Sequence, residues 1–105
     1  MKTKLLNLLS MSRKAGKAAL GFDPMKEALS AGKAAGVFIA EDISPKTEKE
    51  VRFFADKNGA SVVRLPLTQD ELYFGIGKKV GVVTLCDKGF ADKAARLAQT
   101  AHSEN

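Results

Sequence analysis

A chain of 105 residues, 45% of them hydrophobic and 28% charged, is long enough for one compact core and too short for two ordinary domains, so residues 1–105 are expected to form one. Seventeen lysines and arginines against 12 acids leave a net charge of +5, which favours a polyanionic partner without requiring one. One cysteine, Cys86, excludes an internal disulfide and, with the lone His102, cannot assemble a Cys/His metal cage.

The first predicted element is a helix with a stripe of Leu5, Leu8 and Leu9, continued by Ser12 and Ala15 towards a stop at Gly16. Its apolar run, Leu5-Leu6-Asn7-Leu8-Leu9, is shorter than a signal-peptide core and far short of the roughly 20 residues that a membrane span requires. A reducing cytoplasm is the expected location, with no membrane partner. Lys2, Lys4, Arg13, Lys14 and Lys17 carry the whole charge excess within the first 22 residues, and the remaining chain is neutral. Lys17 to Leu20 reads as a short strand. Asp23-Pro24 then reads as a cap followed by proline at the first helical position, with Met25, Ala28 and Leu29 facing one way until Gly32.

Val37-Phe38-Ile39-Ala40 is a continuous apolar run suited to a strand covered on both faces. Ser44-Pro45 starts a third helix with stripe Val51, Phe54 and Ala55, ending near Asn58-Gly59. Val62 to Leu65 is the next strand, and Thr68-Gln69-Asp70-Glu71 is a capping box opening a short helix that stops at Gly75 or Gly77. Val80 to Cys86 is the last strand. Asp87 opens a final helix with stripe Phe90, Ala94, Leu97, Ala98 and Ala101, and residues 102–105 are expected to fray. Strands alternating with helices predict an α/β sandwich with helices on both sheet faces.

Few motifs carry chemistry. Gly75-Ile76-Gly77 lacks the third glycine of a dinucleotide loop, since position 80 is Val80, and it precedes a strand rather than following one. His102 in the tail and Cys86 without an activating histidine supply no nucleophile. Glu41-Asp42, after an apolar strand, sits where α/β sheets bind ligands, yet acidic residues are ordinary in such loops. No enzyme activity, cofactor, metal or small-molecule substrate is expected. Arg13, Lys14 and Lys17 suit either the dipole at a helix end or phosphate contact. With no tryptophan, one tyrosine and six phenylalanines falling mostly in core stripes, no stacking platform for single-stranded bases is expected.

Taken in order, several landmarks nevertheless form a recognisable set: Leu5-Leu6 to Arg13-Lys14-Ala15-Gly16-Lys17, Gly21, Ala28-Leu29-Ser30-Ala31-Gly32-Lys33, Ile39 to Pro45, Gly75 to Lys78, and Asp87-Lys88-Gly89-Phe90-Ala91. From Leu5 to about Leu97 the chain resembles the small bacterial members of the superfamily typified by archaeal ribosomal large-subunit protein seven-Ae and eukaryotic large-subunit protein thirty-e. That resemblance implies a three-layer α/β/α sandwich around a mixed sheet, and binding to RNA kink-turns. It also implies an interface made by the turn and helix start from Gly21 through Phe22, Asp23 and Lys26 to Glu27, by Ser44 with nearby Glu48, and by Lys78-Lys79-Val80. An ordinary A-form major groove is too narrow to read, so such a protein selects RNA whose bend exposes base edges.

At the helix start, relatives that bind often carry Gly-x-Asn-Glu-x-x-Lys, where this chain has Gly21-Phe22-Asp23-Pro24-Met25-Lys26-Glu27. An ionised Asp23 accepts hydrogen bonds but cannot donate to guanine as asparagine does. Pro24 has no N–H, Glu27 is negative where a lysine would stand, and Lys26 is turned about 100° around the helix from that position. The expectation is a ribosome-associated protein binding a structured RNA, ribosomal or an mRNA leader. Lys14, Lys17, Lys26, Lys33, Lys78 and Lys79 would attract phosphates, Gly21 would allow close approach, and Asp23 would accept from guanine N1 and N2. The alternative is a protein-interaction module of the same fold that has lost selective kink-turn binding.

Overall fold

The computed structural model describes residues 2–103 of the chain, with side chains through Thr100. In chain order the elements are α1 (Lys2–Lys14), β1 (Ala18–Leu20), α2 (Phe22–Ser30), β2 (Gly36–Ile39), α3 (Pro45–Lys57), β3 (Val62–Arg64), α4 (Gln69–Ile76), β4 (Val82–Leu85) and α5 (Lys88–Ser103). The side chains of Ala101 and His102, and residues 104–105 of the expected frayed end, lie outside the described part.

The four strands form one sheet in the order β1-β4-β2-β3. β4 runs antiparallel to both β1 and β2, whereas β2 and β3 are parallel, so the sheet is mixed. The two central strands, β2 and β4, are buried along their whole length and alternate between two cores. Phe38, Val83 and Leu85 pack with Leu5, Leu8 and Leu9 of α1, Leu72 and Ile76 of α4, and Ala91, Ala94 and Ala98 of α5. Val37, Ile39 and Val82 pack on the other face with Met25 and Leu29 of α2 and Val51 and Ala55 of α3. The result is the three-layer α/β/α sandwich around a mixed sheet.

Local chemistry accounts for most boundaries. Ser44 caps α3 by accepting from the Thr47 N–H at 3.2 Å, with Pro45 opening the helix. Thr68 and Glu71 cap α4 reciprocally: Thr68 Oγ1 accepts from the Glu71 N–H at 3.1 Å and Glu71 Oε1 from the Thr68 N–H at 3.0 Å. The Thr68 N–H bond, helped by Lys2, holds the Glu71 carboxyl below its ordinary range against the opposing effect of burial. Asp87 caps α5, its Oδ2 accepting from the Phe90 N–H at 2.9 Å.

Four sequence expectations need correction. α2 begins earlier than the Asp23-Pro24 signal predicts: Gly21 is its cap, and Pro24 falls at the third helical position, where a missing N–H again leaves no intrahelical bond broken. The cause is tertiary, because the Gly21 N–H is still bonded at 2.9 Å to the Val82 carbonyl as an extension of the sheet. α4, by contrast, stops at Gly77, one of the two glycines expected to end it, which adopts the left-handed conformation. The last strand is shorter than Val80 to Cys86, and Ala15 is exposed past the end of α1 rather than in its stripe. Of the six phenylalanines, Phe38 is buried and Phe22, Phe54 and Phe90 pack partly against the cores, but Phe53 and Phe74 are 62% and 86% exposed.

Candidate functional site

One end of the sheet gathers four connections. The β1–α2 turn is joined to β4 through Gly21 and Val82, and the Ala40 N–H donates to the Gly81 carbonyl at 2.9 Å, bringing in the β2–α3 and α4–β4 loops. The β3–α4 connection closes the end: the Glu41 N–H donates to the Leu67 carbonyl at 2.8 Å, and the Gln69 N–H to Asp42 Oδ1 at 3.0 Å. Asp42 is thereby engaged at the start of α4, an architectural use of the acidic pair.

Gly21 sits at the β1 border of this rim with φ 106° and ψ 175°, a backbone conformation that L side chains rarely adopt. It lets the chain pass directly from strand into helix. No side chain caps the N-terminus of α2, so the Phe22 and Asp23 N–H groups and the positive end of the helix dipole face the rim. Asp23 and Glu27 are exposed and, with Lys26, Ser30 and Ala31, line a shallow open depression along α2. Lys26 does not extend freely from the helix: its Nζ lies 5.4 Å from the centre of the Phe22 ring and 5.3 Å from that of Phe54. Phe54 meets both Phe22 and Phe53 edge to face, with ring centres 5.8 and 5.3 Å apart.

Across the rim, Glu48 is clasped by two arginines. Arg52 Nε donates to its Oε2 at 3.0 Å, and Arg64 Nη2 pairs with its Oε1. Arg64 also donates to the Glu41 carbonyl at 2.7 Å, pinning the β2–α3 loop to the end of β3. The hydrogen bond from Arg52 is the main influence holding the Glu48 carboxyl below its ordinary range; burial opposes it and Arg64 assists. Ser44 is likewise occupied, donating to Thr47 Oγ1 at 2.9 Å while capping α3.

The structure brings Gly21, Phe22, Asp23, Lys26, Ser44, Lys79 and the backbone of Val80 to one end of the molecule, with exposed Lys78 following the Gly77 cap. Lys79 is anchored by Asp70 at 3.3 Å. The Val80 side chain is only 7% exposed and belongs to the core beside α1 and α4, so it offers no apolar contact at the surface. Lys17 and Lys33 are not part of this end. The Lys17 carbonyl accepts from the Cys86 N–H at 2.7 Å at the finish of β4, and Lys33 follows α2 where the Ala35 N–H donates to the Leu85 carbonyl at 2.8 Å. Both stand at the opposite end of the sheet, as does Lys14 at the C-terminus of α1. A strand or a helix separates each from Gly21, and either one runs from one end of the sheet to the other.

Sequence reasoning missed Arg52 and Arg64 as organisers of the rim. The signal was present for Arg52, four residues beyond Glu48 on one helix face, but Arg64 joins only through the parallel pairing of β2 and β3. Among the described residues, no group of three or more His, Cys, Asp or Glu side chains is placed to hold a metal ion, and no helix is long and apolar enough to cross a membrane.

Comparison with solved structures gives two informative neighbours. A protein of unknown function from Bacillus halodurans superposes with a TM-score of 0.84 at 24% identity, covering 92% of this chain and 98% of that one. The Giardia lamblia 15.5kD RNA binding protein superposes with a TM-score of 0.73 at 17% identity, covering 91% and 85%. Both share the fold. A search of curated proteins gives no match. The family profile that does match spans residues 3–95, and on that ground the chain belongs to the ribosomal protein L7Ae/L30e/S12e/Gadd45 family.

Proposed function

We propose that this chain is a non-enzymatic, ribosome-associated RNA-binding protein of the bacterial cytoplasm that recognises a kink-turn or similarly bent RNA with the Gly21 end of its sheet. The observation that carries the proposal is the uncapped start of α2 at Gly21, beside the Lys78–Gly81 loop and at the same end of the sheet as Ser44. A helix N-terminus reached through a glycine allows a backbone phosphate or an opened groove to approach closely. Lys78 and Lys79 supply charge beside it, and Asp23 presents a carboxylate suited to the N1 and N2 donors of guanine. Family membership and the RNA-binding activity of the Giardia neighbour support the same reading.

A second reading, a protein-interaction module that keeps the fold without selective RNA contact, draws on exposed Asp23 and Glu27 beside the tip and on the engagement of Lys26 by two phenylalanine rings. Filter binding with a kink-turn RNA and an unbent duplex of equal charge, at two salt concentrations, separates them. The first reading expects preference for the bent RNA at both. Equal weak binding that vanishes at physiological salt overturns it. Tight kink-turn binding by the triple variant Asp23→Asn, Pro24→Glu, Glu27→Lys, with none by the natural chain, favours the second.

A further inference from the structure

Phe74 is the most exposed large apolar side chain among the described residues, at 86%, and its neighbour Tyr73 is 51% exposed. Their ring centres lie 5.9 Å apart with the planes tilted by 40°. Leu72 and Ile76 carry the buried stripe of α4, so Tyr73 and Phe74 occupy the opposite, outward stripe together with Asp70 and Gly77. Two adjacent aromatic rings left in water forgo the gain that burial would bring, and none of the described residues covers them.

Cations border the helix that carries this pair, and three of them are tied to α4 itself. Lys79 pairs with Asp70 at 3.3 Å, Lys2 pairs with Glu71 at 3.4 Å, and Arg13 donates to the Ile76 carbonyl at the C-terminal end. Lys78 follows the Gly77 cap directly. Four positive charges therefore stand against the two carboxylates of Asp70 and Glu71 along the helix that presents the exposed rings.

We infer that the outer face of α4 is a stacking platform for an unpaired nucleotide of the bound RNA. The base lies on Phe74 with Tyr73 beside it, and the flanking phosphates run along Lys78, Lys79 and Arg13. This rests on the reading of the chain as an RNA binder, and it adds a single-stranded segment to the bent duplex, because Lys78 and Lys79 border both the rim and this face. Every base has a π face, so the platform selects single-strandedness rather than sequence. A second copy of the chain is a poorer occupant, since face-to-face pairing sets the same positive excess against itself.

The protein has one tyrosine and no tryptophan, so its intrinsic emission reports this face alone. The full chain is titrated with a blunt kink-turn RNA, with the same RNA carrying a short single-stranded adenosine extension at either end, and with a free oligoadenylate. Quenching of Tyr73 by the extended RNA and by the oligoadenylate is expected, with a Phe74→Ala variant binding the extended RNA about tenfold more weakly and the blunt RNA unchanged. Phe74→Trp restores the affinity. Absence of quenching by both single-stranded probes, or an unchanged affinity of Phe74→Ala for the extended RNA, overturns the platform. So does a concentration-dependent dimer that Phe74→Ala abolishes, which assigns the face to a second copy. Quenching by the oligoadenylate without any binding of the blunt RNA sinks the bent-RNA reading and leaves the platform standing.

Discussion

Gly75 lies so close to Leu6 that a β-carbon at position 75 would sit 2.5 Å from the leucine Cδ2 and 3.1 Å from its Cβ. The approach of α1 to α4 therefore depends on a residue without a side chain. In an exposed helix, alanine in place of glycine gains up to about 1 kcal/mol, but overpacking at a close contact costs about 1–3 kcal/mol. Gly75→Ala is expected to lose about 1 kcal/mol in urea unfolding, and to become neutral or stabilising when Leu6→Ala is made with it. A double-mutant cycle with no coupling between the two positions would contradict this.

Thr84 presents the reverse opportunity. It lies in β4 opposite Ala19 and Val37, fully buried, and its hydroxyl has no hydrogen-bond partner among the described residues. Valine has nearly the same shape without the stranded polar atom. Thr84→Val is expected to raise the unfolding free energy by about 1 kcal/mol, read from the midpoint of urea denaturation at unchanged slope.

The Arg52–Glu48–Arg64 clasp predicts a pH dependence whose sign follows from linkage. The folded carboxyl of Glu48 ionises below its ordinary value of 4.5, chiefly through Arg52. Its contribution to stability is therefore full above that value and fades as pH falls through the lower folded one. Wild type and Glu48→Gln should differ at neutral pH and converge in acid. A difference that persists unchanged well below pH 4.5 would show that the clasp is not the source.

Placement of the lysines at two ends of the sheet makes the proposed interface directly testable. Lys78→Ala with Lys79→Ala should weaken RNA binding and flatten its salt dependence by about one unit of slope for each phosphate left without its lysine. Lys17→Ala with Lys33→Ala removes the same charge from the far end and should leave the slope nearly unchanged. Equal effects from the two pairs would mean that only net charge matters.

What could be read in advance followed the range of the interactions involved. Ser44 and the Thr68–Glu71 box declared their helices because a cap joins a side chain to a backbone group three residues away, and the apolar runs at Val37 and Val82 declared buried strands for the same local reason. Gly21 was legible as a landmark, but not as the cap of α2, because its conformation is tied to Val82 far along the chain. Lys17 and Lys33 looked close to Gly21 in sequence, yet β1 and α2 each run between the two ends of the sheet. Phe74 was not singled out although the signal existed: with Leu72 and Ile76 turned inward, the position midway between them must point out.

The two border strands, β1 and β3, are three residues long apiece. So little unsatisfied ladder is exposed along the flanks that an extended peptide cannot zip onto the sheet with useful register. Recruitment of any ligand is thus left to loops and helix faces, and the same brevity guards the protein against edge-to-edge polymerisation.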